Sequence, residues 1–198
     1  MKFKLSLPRL EKALGFKLRK NVFVLSFDTA TTTGIVKMLT DGKTASFETS
    51  TVKLPDVPED IEDKAEKYEE RLDMLLTIVR DFKKTLDIKK DYTILVLENS
   101  YAGKNVYGYG FLKGFMGLLY AEFYDVVDHV DILFASQARK AAGFKSSIPK
   151  KHGMKPSEAR KKRKAEIVAW VSQILGKDIE NDDEADALIL AFAGAKEK

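Results

Sequence analysis

The sequence predicts a mixed α/β fold: a five-stranded sheet, three antiparallel strands followed by parallel ones, with helices packed on it. Three observations carry this. Residues 22–28 (VFVLSFD) and 92–98 (YTILVLE) are short apolar runs rich in β-branched and aromatic side chains, each ending in an acid. That is the pattern of strands buried on both faces. An apolar helical period fills residues 61–86 between them, so a helical crossover pairs the two runs in parallel. Asp41-Gly42 joins two strand-like runs and reads as a hairpin turn, because Gly accepts positive φ and Asp tolerates it.

The elements follow in order. Residues 1–20 read as a basic N-terminal extension, and residues 21–198 as a single domain. After the first strand, residues 29–33 form a polar turn and residues 35–39 a second strand. Residues 44–52 return as a third, with Ala45, Phe47 and Thr49 alternating against Ser46, Glu48 and Ser50. Pro55 and Pro58 break the pattern. Ile61, Ala65, Tyr68, Leu72, Leu75, Val79, Phe82 and Leu86 then recur at steps of three and four, one face of a long amphipathic helix. A loop rich in Gly and Tyr follows the strand at 92–98. Residues 111–124 read as a mostly buried helix in which Gly114 and Gly117 permit close packing. Residues 130–135 form the fifth strand. Residues 145–163 have two prolines and no apolar period, so they read as a flexible basic loop. Residues 164–175 and 182–195 close the chain as helices.

With 198 residues, 44% apolar and 32% charged, the chain can bury a sizeable core. It has no Cys, which excludes disulfides, zinc–thiolate sites and Cys nucleophiles. No run of 18 apolar residues exists, so no membrane span is expected. The start lacks the continuous apolar core and cleavage site of a signal peptide. A cytoplasmic location is expected, and so basic a start leaves an organellar transit peptide open. The net charge of +4 is unevenly spread. Residues 1–20 carry net +6 and residues 139–164 net +10, against net −12 over the rest. Concentrated basic segments on an acidic body attract polyanions, of which nucleic acid is the commonest; the plain alternative is a solvated tail and loop.

Asp28 and Glu98 end the two most apolar strands, at the edge where open α/β sheets place ligands. Either alone is the ordinary start of a loop; together they make a candidate paired site. Asp183 and Asp186, spaced i, i+3, share one face of the last helix. Acids in a first helical turn favour the dipole, which accounts for Asp182, Asp183 and Glu184. It accounts poorly for Asp186, which runs straight into the apolar ALILAFA. A carboxylate on a packed helix face is costly unless paired or bound to metal. Four clustered carboxylates repel, and a hard divalent cation such as Mg²⁺ removes that repulsion. Two such ions about 3.5–4 Å apart hold a phosphodiester and activate a water. Acids beside basic segments are the layout of a nuclease. Neither His129 nor His152 has a partner pattern of a general base, and both read as surface residues.

The segments VLSFDTATTTGIV (24–36), ILVLENSYAGKN (94–105), KGFMGLLYAE and DDEADALILAFA (182–193) resemble, in order, the RuvC family of Holliday junction resolvases. That family belongs to the RNase H-like nuclease superfamily. The match covers about residues 22–195. The acid ending the fourth strand and the Asp-x-x-Asp of the last helix favour it over ribonuclease H type 1. The resemblance implies an RNase H-like sheet with helices on both faces. It places the catalytic, metal-holding acids at Asp28, Glu98, Asp183 and Asp186, with two Mg²⁺ per site and Mn²⁺ able to substitute. It implies a homodimer that cuts a four-way DNA junction symmetrically, leaving 5′-phosphate and 3′-hydroxyl ends. It puts the base-contacting aromatic at Tyr101, a polar DNA-binding patch at Lys104 and Asn105, and phosphate contacts at Arg139, Lys140 and Lys164.

The chain departs from the bacterial pattern in its basic start, in a shorter loop after Glu98 bearing Tyr107 and Tyr109, and in the insertion-like segment 145–163. These leave room for activity on flaps, forks or other branched DNA, and suit a phage-type or divergent member working in a host cytoplasm. Three other readings stand beside it: an RNase H-like nuclease acting on RNA, a non-catalytic module binding branched DNA, and an actin-like sugar kinase suggested by FDTATTTG. The kinase needs a second domain, for which the chain is too short.

Overall fold

The computed structural model describes residues 1–30, 32–53, 63–87, 92–100, 106–148 and 153–197. In chain order the elements are β1 (Lys2–Ser6), α1 (Leu7–Leu14), β2 (Val22–Asp28), β3 (Thr32–Thr40), β4 (Thr44–Lys53) and α2 (Lys64–Lys84). Then come β5 (Tyr92–Glu98), α3 (Val106–Phe123), β6 (His129–Leu133), α4 (Ala135–Ala141), α5 (Pro156–Leu175) and α6 (Asp182–Ala195). The sheet order is β1-β4-β3-β2-β5-β6. The two apolar runs are its centre, with β2 and β5 parallel and Val24 opposite Ile94. The β2–β3–β4 meander is antiparallel, and its turn is tied by Asp41, whose Oδ1 accepts from Lys43 N at 3.0 Å and Thr44 N at 2.6 Å. β6 pairs in parallel with β5.

Each central strand reads as a continuous apolar run because its two faces feed two cores. Val24, Val36, Met38, Phe47, Ile94 and Val96 pack with α6 and with residues of α1, α4 and α5. Leu25, Phe27, Leu95 and Leu97 face α2 and α3, meeting Leu75, Val79, Phe115 and Phe123. Alternation puts neighbouring residues in different cores. Gly194 lets α6 lie close to the sheet, since a Cβ there would stand 2.4 Å from Val96 Cγ2. Gly114 does the same for α3 against α2, where a Cβ would meet Tyr68 Oη at 2.5 Å.

The sheet has six strands rather than the five expected, because residues 1–20 enter it instead of extending from it. β1 runs antiparallel to β4, with Phe3 opposite Phe47 and their rings stacked at 4.9 Å. Lys2 and Lys4 are exposed between the half-buried Phe3 and Leu5. This is the period of a half-buried strand, concealed by the density of charge. α1 starts with Pro8 in its first turn, closes at Gly15 with φ 77° and buries Leu7, Leu10 and Leu14.

The flexible loop expected over residues 145–163 is helical from Pro156 onward. Proline is tolerated at a helix start, where its missing N–H has no partner to lose, and Lys and Arg are good helix formers. This first stretch of α5 packs through Ala159 alone, so no apolar period announces it. β6 stops at Leu133 rather than 135. Phe134 N donates to Gln137 Oε1 at 2.9 Å and opens the short helix α4, which the sequence reading did not foresee.

Candidate active site

Asp28 and Glu98 are the last residues of β2 and β5. Because these strands are parallel neighbours, both carboxylates emerge at one sheet edge. Thr29 Oγ1 ties the two strand ends together by donating to the Glu98 carbonyl at 3.1 Å. α6 is brought to the same edge by three local devices. Gly34 lies opposite Asp28 on β3, and a Cβ there would fall 2.0 Å from the Asp183 carbonyl oxygen. Ser26 Oγ donates to the Ala187 carbonyl at 2.8 Å. Asn181 caps the helix, its side chain accepting from Asp183 N at 2.8 Å and Glu184 N at 3.2 Å. The first turn of α6 therefore rests against β3 and turns Asp183 and Asp186 toward Asp28.

The carboxylates respond to one another electrostatically. Asp28 is 6% exposed, and its carboxyl is held well above the usual range. Burial is the chief cause, followed by the hydrogen bond and charge of Glu98 and the charges of Asp186 and Asp183. The Asp183 carboxyl is raised by burial, against the opposing charge of Lys164, and further by Asp186 and Glu98. Their cleft, about 330 Å³ in volume, is also lined by Thr29, Ser100, Leu112, Arg139, Arg160, Arg163 and Lys164. Arg139 forks onto Asp186, with Nη2 2.9 Å from Oδ1 and 3.1 Å from Oδ2, and Nε 3.3 Å from Oδ1. Lys164 pairs with Asp182 and stands 3.9 Å from Asp183 Oδ1.

Asp28, Glu98, Asp183 and Asp186 thus line one cleft, together with Arg139 and Lys164. Lys140 lines an adjoining groove shared with Arg139, Lys145 and Arg163. Tyr101, Lys104 and Asn105 lie outside the described residues, as does His152. His129 is at the far end of β6 from this edge, its Nε2 3.1 Å from Asp131 Oδ1. Arg160 and Arg163 were missed individually. With Lys164 they form an i, i+3, i+4 set, a signal that has meaning only once residues 156–163 are known to be helical. Ser100 was also missed. It is buried, and its Oγ has no hydrogen-bond partner among the described residues.

The donors fit a hard divalent cation. All four are carboxylates, the oxygen ligands that Mg²⁺ and Mn²⁺ prefer, and the crowding that lifts the Asp28 carboxyl is what a dication relieves. Among the described residues no three such groups converge tightly enough to enclose an ion; Asp186 is engaged by Arg139 instead.

No family model and no curated protein matches the sequence. Solved structures do match in fold. The RuvC of T. thermophilus in complex with a Holliday junction substrate is 15% identical, covers 87% of this chain and 90% of its own, and superposes with a TM-score of 0.55. A second Thermus thermophilus RuvC structure is also 15% identical, over 87% and 91% of the two chains, with a TM-score of 0.50. The yeast mitochondrial Holliday junction resolvase Ydc2 is 10% identical over 94% and 84%, with a TM-score of 0.48. The chain has the fold of RuvC, as the ordered motifs imply.

Proposed function

We propose that this protein is a divalent-metal-dependent DNA endonuclease that resolves four-way junctions and acts on related branched DNA. One observation carries the reading. Four carboxylates from β2, β5 and α6 line one cleft with Arg139, Arg160, Arg163 and Lys164, on the fold of a protein seen bound to a Holliday junction substrate.

Asp28, Glu98, Asp183 and Asp186 would hold two Mg²⁺ ions. When bound, such ions supply an activated water and neutralise charge on the phosphate and its leaving oxygen. The chain's own residues do the rest. Arg160, Arg163 and Lys164 attract the phosphate backbone and offset its charge at the cleft mouth. Gly34 and Asn181 hold the first turn of α6, so Asp183 and Asp186 are presented before substrate arrives. No histidine lines the cleft among the described residues. The products are 5′-phosphate and 3′-hydroxyl ends. Symmetric cutting calls for a homodimer. The exposed face of α3 around Gly117, Tyr120 and Tyr124 is where the second copy would sit. Among the described residues no helix is long and apolar enough to cross a membrane.

The test is cleavage of a synthetic four-way junction with and without Mg²⁺, mapped at nucleotide resolution beside linear duplex, flap, fork and RNA controls. Paired cuts that need the metal and spare linear duplex are expected. Preferential cutting of RNA, or binding without cutting under Mg²⁺ and Mn²⁺, overturns the proposal.

A further inference from the structure

The fork between Arg139 and Asp186 sets a conflict inside the cleft. Asp186 is one of the four carboxylates suited to a divalent cation. Both its oxygens already accept from the Arg139 guanidinium, and the pair is largely enclosed, with side-chain exposures of 28% and 12%. A guanidinium and a dication on one carboxylate repel each other. In such surroundings that repulsion is poorly screened.

We infer that Arg139 is the resident counter-ion of Asp186, displaced when a divalent cation binds and then free to take a DNA phosphate. The inference rests on the reading of this cleft as a divalent-metal site. Arg139 is carried on α4, which is anchored by the buried Ala138 and by Ala142 beyond its end, so displacement moves the side chain rather than the helix. Arg139 also lines a second groove of about 550 Å³, together with Lys140, Lys145 and Arg163. In that groove the described lining contains no carboxylate. A displaced Arg139 joins three cations there, of which Arg163 already feels the charge of Glu166, and a phosphate of the bound strand supplies further counter-charge. Metal binding at the carboxylates thereby creates an anion site beside them. By linkage, DNA tightens metal binding as much as metal tightens DNA binding.

The experiment compares full-length wild type and Arg139→Gln. Mn²⁺ binding is followed by the electron paramagnetic resonance of the free ion, first without DNA. Removing the competitor is expected to tighten Mn²⁺ by about tenfold, the factor carried by loss of one charge-assisted contact. Junction affinity is then measured with and without Ca²⁺. Wild type is expected to gain affinity with metal, and the variant to gain several-fold less. Unchanged or weaker Mn²⁺ binding by Arg139→Gln overturns the inference, since an arginine that only orients Asp186 gives that sign. If Arg139→Gln does not fold, Arg139→Met serves: it keeps an unbranched, flexible side chain without the charge, and must also tighten Mn²⁺. Wild type that binds no Mn²⁺ at all overturns the metal reading, and the inference with it. Wild type that binds Mn²⁺ no more weakly than the variant overturns the inference alone.

Discussion

At the scale of single residues, Asp28 is a buried carboxylate crowded by like charge. Its carboxyl titrates above the ordinary Asp value, about 3.9, because it is buried and faces Glu98, Asp186 and Asp183. The native state thus keeps a proton that the unfolded chain releases. Metal-free stability therefore falls as pH rises from the unfolded value through the raised folded one, and this cost is absent at lower pH. Asp28→Asn should raise the melting temperature of the metal-free protein at pH 7 and do so less as pH falls toward 4. Melts in EDTA across that range check it. The same variant, like Glu98→Gln, should abolish junction cutting while leaving junction binding intact or tighter, as read in a gel shift beside the cleavage assay.

Gly34 carries a different residue-scale demand. Any side chain there drives into the Asp183 backbone, and a backbone contact cannot yield by a rotamer change. Gly34→Ala should cost about 1–3 kcal/mol or more in overpacking and lower cleavage well beyond that loss, because the first turn of α6 moves away from Asp28. Urea unfolding and cleavage kinetics on the one variant separate the two effects. Asp28 and Glu98 were legible beforehand, since an acid closing an apolar strand is a local pattern. The demand on Gly34 was not, because it arises from Asp183, distant in sequence.

At the scale of elements, the first fourteen residues are the instructive case. Their charge suggests a solvated extension, yet β1 and α1 cover the outer strand β4 and fill one core with leucine. Leu10 is fully buried, so Leu10→Ala should destabilise the protein by about 2–5 kcal/mol. Chemical denaturation measures this, and a loss under 1 kcal/mol would mean the segment is dispensable. α5 shows the converse. Its first turns lie along solvent and need no apolar stripe, so only propensity and Pro156 mark them. Once helical, they set Arg160, Arg163 and Lys164 at the cleft, which a loop would not do with the same regularity.

At the scale of the whole molecule, the two basic segments prove unlike. In the N-terminal one, Lys2 pairs with Glu48 at 3.2 Å and Lys4 with Asp41 at 3.7 Å, so part of its charge is met by the acidic body, while Lys17 pairs within the segment with Glu11 at 2.8 Å. In α5, Arg160 and Arg163 make no ion pair with a described carboxylate and line the cleft instead. Replacing both with Ala should weaken junction binding and reduce its slope against log salt by about one unit per residue. Replacing Lys2 and Lys4 should leave the slope unchanged. Fluorescence anisotropy over a salt series makes the comparison, and equal slopes for the two double variants would refute it.

The sequence by itself determined the central strands, the crossover helix, the final helix and the four acids they carry. Each of these is written in a run or period a few residues long, and apolar burial enforces it locally. The tertiary structure alone decided that Lys2–Ser6 pairs with β4, that Arg139 grips Asp186 across 47 positions, and that Arg160 and Arg163 face the acids. Those outcomes depend on which surfaces the folded sheet leaves open and on charges meeting at distances that no local pattern records.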